Sequence, residues 1–566
     1  MEEYTHSDRY TPADGTLPPL YTASTPAPAP LPSAPLYTTP PAKPARPAPD
    51  GAWLAAALLS YIPAMLYIKG MFRLSSEALP AGFLPVFSVL LILGVTLFAR
   101  AEHRAPCKET PFWALCWLAQ SVSLGVFGPQ DGPLYLWQLL AFHLFAVWFM
   151  LAATGMLAAG KSGSLFFVDA LTGLFVLPWP AFFARITTAV RGLAARLRRG
   201  RRIPGKTAAQ VIISALAAGL LCFFAWEQLA AADANFAAIG SGARAWLHRL
   251  FRDNIFFTDN FLYFILSLPV GAWLFGLVAG GLRRRSPPVT DGQFYAALTP
   301  LRHLPGFTIH IILGALCGVY ALFFGVQAAE FLPLLGAGAR RLSAPDAAAF
   351  AVGGFWELCR VLLLNFAVLA GIHFFSPRPL RQGKAAKALA AFFCAFGAAF
   401  AALALAKLAA YIRLYGFTPR RVVSGWFLCV LTVWAVLALV WVFKAIPAAR
   451  IGIFVLALSF TVLCCADMNT RIVESSLARY TSGQSAAPAL DVLRQCGACY
   501  GPRAPEYAEK LIATGWLQGR TPEELSDLYY IDSAGLSLAR VPLNDTATLR
   551  LRFQNGLCVG AEVERE

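Results

Sequence analysis

Residues Val422–Phe443 read VVSGWFLCVLTVWAVLALVWVF, a run without a single Asp, Glu, Lys or Arg. A bilayer core of about 30 Å is crossed by roughly 20 apolar helical residues. The run has that length and shows no period-two alternation, so it reads as a membrane-spanning helix rather than a barrel strand. Working outward, similar runs recur at short intervals. Upstream lie Trp53–Phe72, Pro80–Ala99, Phe112–Phe127, Leu134–Leu157, Leu165–Ala184, Ala208–Ala230, Phe261–Leu282, Gly306–Phe331, Phe350–Phe375 and Ala385–Ile412. Ile451–Cys465 follows downstream. The fold class expected is an all-α transmembrane helix bundle of about twelve spans, residues 51–465.

Composition agrees. The chain of 566 residues is 57% hydrophobic and only 14% charged, with a mean hydropathy of +0.57. Soluble domains carry about a quarter charged residues. The net charge of +16 sits mainly in arginines beside apolar runs, which reads as membrane orientation rather than nucleic-acid binding. Most of the 12 cysteines lie inside the apolar runs, where they act as small apolar residues.

Two regions differ. Residues 1–50 hold 13 of the 39 prolines and lack an apolar signal-peptide core. They read as a disordered Pro/Ala/Thr-rich arm in which Pro-Leu-Tyr-Thr occurs twice, at Pro19–Thr22 and Pro35–Thr38. Residues 466–566 have ordinary soluble composition and read as a small α+β appendage. Thr521-Pro522-Glu523-Glu524 is a capping box that should start a helix running to about Ile531. Leu549, Leu551 and Phe553, the turn Asn555-Gly556, then Val559, Ala561 and Val563 spell a β-hairpin.

Short loops rich in Arg and Lys stay cytoplasmic. Three such loops, Arg185–Lys206, Arg283–Arg285 and Arg378–Lys387, are each two spans apart. One topology puts all three inside, and the same span count puts both the arm and the tail outside. Residues Ala243–Phe257 should form an amphipathic interfacial helix between spans six and seven. The reading is a multi-pass protein of a bacterial cytoplasmic membrane with an extracytoplasmic tail.

Four stretches carry a family resemblance. They are Ala231–Phe236, Gly354–Cys359 followed by Asn365, Tyr415–Arg421, and Leu477–Tyr480. In this order they resemble bacterial polytopic membrane proteins catalogued only as a domain of unknown function. The resemblance spans roughly residues 165–500. It implies a membrane helix bundle and no established activity, so it transfers no catalytic residue.

Charged groups inside apolar runs are costly and mark candidate sites. Helical rise puts Glu357 about 28 Å from the loop at Ser376 and Lys407 about 35 Å from Lys384, so both approach the outer side. Arg360 is one turn from Glu357. Asp169 should enter span five from outside, and Glu227 and Glu330 should end spans six and eight outside. Asp169, Glu227, Glu330, Glu357, Arg360 and Lys407 are thus the candidate polar site. It is either an outward-open cavity, where Arg360 and Lys407 around the single acid Glu357 leave a positive excess that suits an anionic ligand, or a set of snorkelling and ion-paired side chains in which Asp169 or Glu330 completes the balance. His143, His310 and His373 lack ligand spacing, and no metal site is read. Cys496-Gly497-Ala498-Cys499 offers a local disulfide if the tail is outside. No phosphate-cradling loop, nucleophile elbow or HExxH is present, and no cofactor is implied. Besides the lipid bilayer, no protein partner is indicated. Three functions remain open: a permease-like or complex-forming membrane protein, a transferase acting on a lipid-linked or extracytoplasmic anionic substrate, and a sensor or scaffold.

Overall fold

A computed structural model describes residues 51–74, 82–126, 133–198, 255–303, 305–336, 355–377, 383–501, 503–529 and 537–565, with a few isolated positions besides. The arm, Glu227, the apolar run Ala208–Ala230 and the amphipathic stretch from Ala243 up to residue 254 lie outside the described residues.

The first apolar run is Gly51–Arg73, made of α1 (Gly51–Leu59) and α2 (Tyr61–Arg73). Then come α3 (Phe83–Ala101), α4 (Thr110–Val126) and α5 (Pro133–Thr154). A broken region follows, with α6 (Phe166–Leu171) and α7 (Ala184–Arg198). The long helices resume with α8 (Ile255–Leu282), short α9 (Asp291–Leu298), α10 (Gly306–Gly336) and α11 (Phe355–Phe375). They finish with α12 (Lys384–Tyr415), α13 (Pro419–Phe443) and α14 (Ala448–Cys465). The opening run is α13, whose start is fixed by Pro419 in the first turn and by Thr418, whose hydroxyl accepts from the Arg421 N–H. Among the described residues nine helical stretches are long and apolar enough to cross a bilayer. The 17-residue α4 runs among them but is shorter.

One expected span is absent. Leu165–Ala184 is not a continuous helix: α6 gives way to a π turn at Thr172–Val176, then to turns as far as Phe183. Pro178 and Pro180 flank Trp179, and neither proline can donate a ladder hydrogen bond. The strand of turns is held against α8. The Leu177 carbonyl rests where a side chain on Gly280 would sit, 2.6 Å from that Cβ position. Arg185 begins an amphipathic helix, not a loop, and its Nε donates to the Ala57 carbonyl at 3.2 Å.

The long helices form two groups with separate apolar cores. One core takes Leu84 and Phe87 from α3, Trp113 and Trp117 from α4, Phe142 and Phe149 from α5, and Leu274 from α8. The other takes Leu313 from α10, Leu362 from α11, Phe393 and Ala404 from α12, and Leu431 from α13. Helix α14 joins them. Its Phe460 and Cys464 belong to the first core. Its Ser459 Oγ and Gly452 carbonyl accept from the Trp426 and Trp434 indoles of α13, each at 3.0 Å.

The bundle has two chemically distinct ends. At the basic end, Arg104 donates to the Arg284 carbonyl, Arg283 stacks on Trp53, and Arg302 Nε donates to the Phe374 carbonyl. Gly51 lies at this end, 3.8 Å from Arg196 when given a Cβ. The tail leaves α14 at the other end, where Ser123 donates to the Cys464 carbonyl at 2.7 Å. Gly51 and the end of α14 thus lie at opposite ends of the bundle, with the interrupted stretch Leu165–Ala184 between them in the chain.

The tail packs its own core from α15 (Met468–Thr481), α16 (Leu490–Gln495), α17 (Ala504–Ala513), α18 (Pro522–Ser526) and a sheet. The antiparallel order is β1 (Leu538–Asn544), β2 (Ala547–Gln554), β3 (Leu557–Arg565). The capping box at Thr521 forms in both directions. The helix it starts ends at Ser526 rather than near Ile531; Leu528, Tyr529 and Ile531 reach the core from turns instead. The hairpin forms as expected, with a bulge between Arg552 and Phe553. That extra residue turns Cys558 inward and leaves Val559 exposed.

Candidate functional site

Among the described residues, the most deeply buried ionisable side chains in the bundle are two acids at the basic end. Glu109 stands one residue ahead of α4, and Asp169 sits in the interrupted segment on α6; their relative exposures are 3% and 1%. Asp169 Oδ1 accepts from the Ala158 N–H at 2.8 Å, while Oδ2 is buried without a hydrogen-bond partner. Glu109 Oε2 accepts from the Ser162 N–H at 2.9 Å. Its Oε1 is 2.8 Å from Arg450 Nε in the first turn of α14. The Nε–H does not point at that oxygen, so the pair is ionic rather than hydrogen bonded.

Local sequence makes this pocket. Gly155 and Gly160 take positive φ and fold the chain after α5 back on itself, which presents the Ala158 and Ser162 amides to the two carboxylates. Asp291 N donates to the Ala158 carbonyl and closes the far side. Burial raises the Asp169 carboxyl to about 7, the Glu109 charge pushes the same way, and the Ala158 amide opposes them. Burial also raises the Cys107 thiol, helped by Glu109 and then Asp169. A carboxyl poised near neutrality beside a second acid can take up or release a proton at cellular pH.

The six residues expected from the sequence do not form one cluster with Asp169. Glu357 and Arg360 are exposed in the first turns of α11, and Lys407 is half-buried on α12. These helices are antiparallel, with Gly397 beside Asn365, so Glu357 and Lys407 do share the tail end. Among the described residues no ion pair joins Glu357 to Arg360 or Lys407. The last turn of α11 packs His373 on Trp441 of α13, close to the loop before Arg450. Asp169 is therefore at the end opposite Glu357. Glu330 lies on α10 with its side chain outside the described residues, and Glu227 is likewise outside them.

His143 takes a hydrogen-bonding role: Nε2 is 2.8 Å from the Tyr67 hydroxyl and Nδ1 is 2.6 Å from the Leu139 carbonyl. Among the described residues no group of three His, Cys, Asp or Glu has metal-binding geometry. Cys496 and Cys499, expected to pair, are both buried in the tail core, Cys496 at the end of α16 and Cys499 three residues on. Burial raises the Cys499 and Cys558 thiols, which favours the unreactive protonated form.

Glu109 and Arg450 escaped the sequence reading because both stand just outside the apolar runs, where charges ordinarily face water. One signal was present: each is in or just ahead of the first turn of a helix at the same end of the bundle.

The family described as a domain of unknown function, DUF4153, matches residues 114–498. The chain belongs to this family. The matched stretch holds Asp169 and Arg450 and stops before the sheet of the tail; Glu109 stands just ahead of it. No curated protein and no solved structure matches the chain.

Proposed function

We propose that this DUF4153 member is a permease-like, non-enzymatic protein of a bacterial cytoplasmic membrane. Its basic end faces the cytoplasm and its tail faces outward. The observation that carries the reading is the division of the helices into two groups with separate apolar cores, joined through α14. Alternating access in many transporters is a rocking of one helix group against another. Helix α14 pairs with both groups, and Val422, Val423 and Trp426 at the start of α13 also pack on the first core, so such rocking would turn about α13 and α14. The ion pair Glu109–Arg450 fastens the start of α14 to the first group.

Reconstitution tests this. The full chain in proteoliposomes on a solid-supported membrane is expected to give solute-evoked currents with at least one member of a panel of small carboxylates, phosphate and amino acids. Arg450→Met should reduce the current without loss of reconstituted protein. Responses no larger than those of protein-free liposomes across the panel would remove the permease reading and leave a role within a membrane complex.

A further inference from the structure

Two of the stretches that carry the family resemblance, Tyr415–Arg421 and Leu477–Tyr480, meet at one corner of the bundle. The corner is the turn from α12 to α13, at the tail end. Gly416 ends α12 with φ +74, and a Cβ there would lie 3.3 Å from Arg479 Cδ. Only glycine makes this turn and admits the Arg479 side chain. Arg479 Nη1 donates to the Arg413 carbonyl at 3.1 Å. Arg421 Nη1 donates to the Tyr415 and Gly416 carbonyls at 3.0 and 2.7 Å. Its guanidinium lies 4.3 Å from the Tyr411 ring centre and 5.9 Å from that of Tyr415.

Four arginines, at 413, 420, 421 and 479, thus share one corner. From Leu358 to Ala466 the chain contains no Asp or Glu at all. The acids of the adjoining tail helix are engaged elsewhere, Asp467 by Arg503 and Glu474 by Lys510. Arg413 and Arg420 are exposed, as are Tyr415 and Phe417. Exposed aromatic residues beside arginines, at the end of a spanning helix, are the signature of the lipid headgroup layer.

We propose that this corner binds the phosphate headgroup of an anionic phospholipid. Arg413 and Arg420 supply the charge that the headgroup meets, Tyr415 and Phe417 lie against the upper acyl region, and Arg421 and Arg479 hold the backbone of the corner in shape. A corner so occupied lies between α12, α13 and the tail helix α15, so the lipid would hold the tail to the bundle.

The test uses the full chain in a neutral detergent, titrated with dioctanoyl phosphatidylglycerol, dioctanoyl phosphatidylcholine or inorganic phosphate. Thermal unfolding is the readout. Phosphatidylglycerol is expected to raise the Tm saturably and phosphatidylcholine to leave it unchanged. Arg413→Gln with Arg420→Gln should raise the half-saturating phosphatidylglycerol concentration about ten-fold. Neither side chain is among the donors that hold the corner's carbonyls, so the unliganded Tm of the double variant should match that of the parent. Lys384→Gln, at the basic end, should respond as the parent does. The proposal is overturned if the parent shows no shift with phosphatidylglycerol, if phosphatidylcholine does equally well, or if the double variant responds like the parent. Saturation by inorganic phosphate, with phosphatidylglycerol adding nothing, assigns the corner to a soluble anion and overturns the lipid reading.

Discussion

Asp169 is a carboxyl that the fold keeps protonated up to about pH 7. In the unfolded chain it ionises near 4. Between those values the folded state holds a proton that the unfolded state has lost, so stability falls as pH rises. The contribution is fully present below about pH 4 and gone once the pH has risen through about 7. Glu109 and Cys107 are the ionisable groups that face it. Asp169→Asn keeps an acceptor for the Ala158 amide and removes the titration. We expect its Tm to be nearly flat across this window while that of the parent declines, measured by thermal unfolding in detergent. Equal slopes would mean that Asp169 ionises at an ordinary carboxylate pH. The neighbouring pair gives a second test. Arg450→Met strands the buried Glu109 carboxylate and should cost about 2 kcal/mol, less than a fully enclosed pair because Arg450 is a third exposed. Adding Glu109→Gln should recover most of that loss. At this scale the sequence was legible only in kind. It marks Asp169 as worth attention and groups it with Glu357, whereas the broken run around it sets it beside Glu109.

That run shows where reading by elements succeeds and fails. Hydropathy located every long helix in the described residues, since a lipid-facing helix is specified by little more than length and apolarity. Leu165–Ala184 has both and still breaks. What decides it is the close packing of Leu177, Pro178 and Ala181 against Gly276 and Gly280 on another helix, a long-range fact that no window along the chain contains. Gly280→Ala tests the pairing. Its new methyl would meet the Leu177 carbonyl, which cannot rotate away, and should destabilise by about 1–3 kcal/mol. Gly318→Ala, with open space around it on α10, should be neutral or slightly stabilising by the same thermal assay. In the tail, local signals fared better. The capping box formed because its partners are three residues apart, and Thr521→Ala should cost about 1 kcal/mol. The bulge that exchanges Cys558 for Val559 was not visible, because register across β2 and β3 is set by both strands together. Strand β1 alternates Ala539, Val541 and Leu543 inward, a pattern present in the sequence but unrecognised because the chain around it reads as polar.

For the whole molecule, orientation follows from where the arginines gather. We expect a cysteine placed at Ser482 in the tail to be labelled by an impermeant maleimide in intact cells, in a background without the other exposed cysteines. A cysteine at Thr187, on the amphipathic helix of the basic end, should be labelled only after the membrane is opened. The reverse pattern would invert the topology and put the arginine corner on the cytoplasmic leaflet. Span number is the other whole-molecule quantity: nine spanning helices stand among the described residues, against about twelve runs read from the sequence. The expectation counted an interrupted run as a crossing, and one further run lies outside the described residues.

The junction at Asp467 carries a mechanical consequence. This residue takes a left-handed backbone, φ +46, between α14 and α15, and it is pinned there by Arg503, while Thr470 and Tyr507 share a hydroxyl hydrogen bond of 3.0 Å beside it. A joint fastened on both sides does not swivel. Helix α14 and the tail would then turn as one lever, with its short arm among the membrane helices and its long arm in the medium beyond. A tilt too small to notice within the helices would be magnified across the strands of the tail.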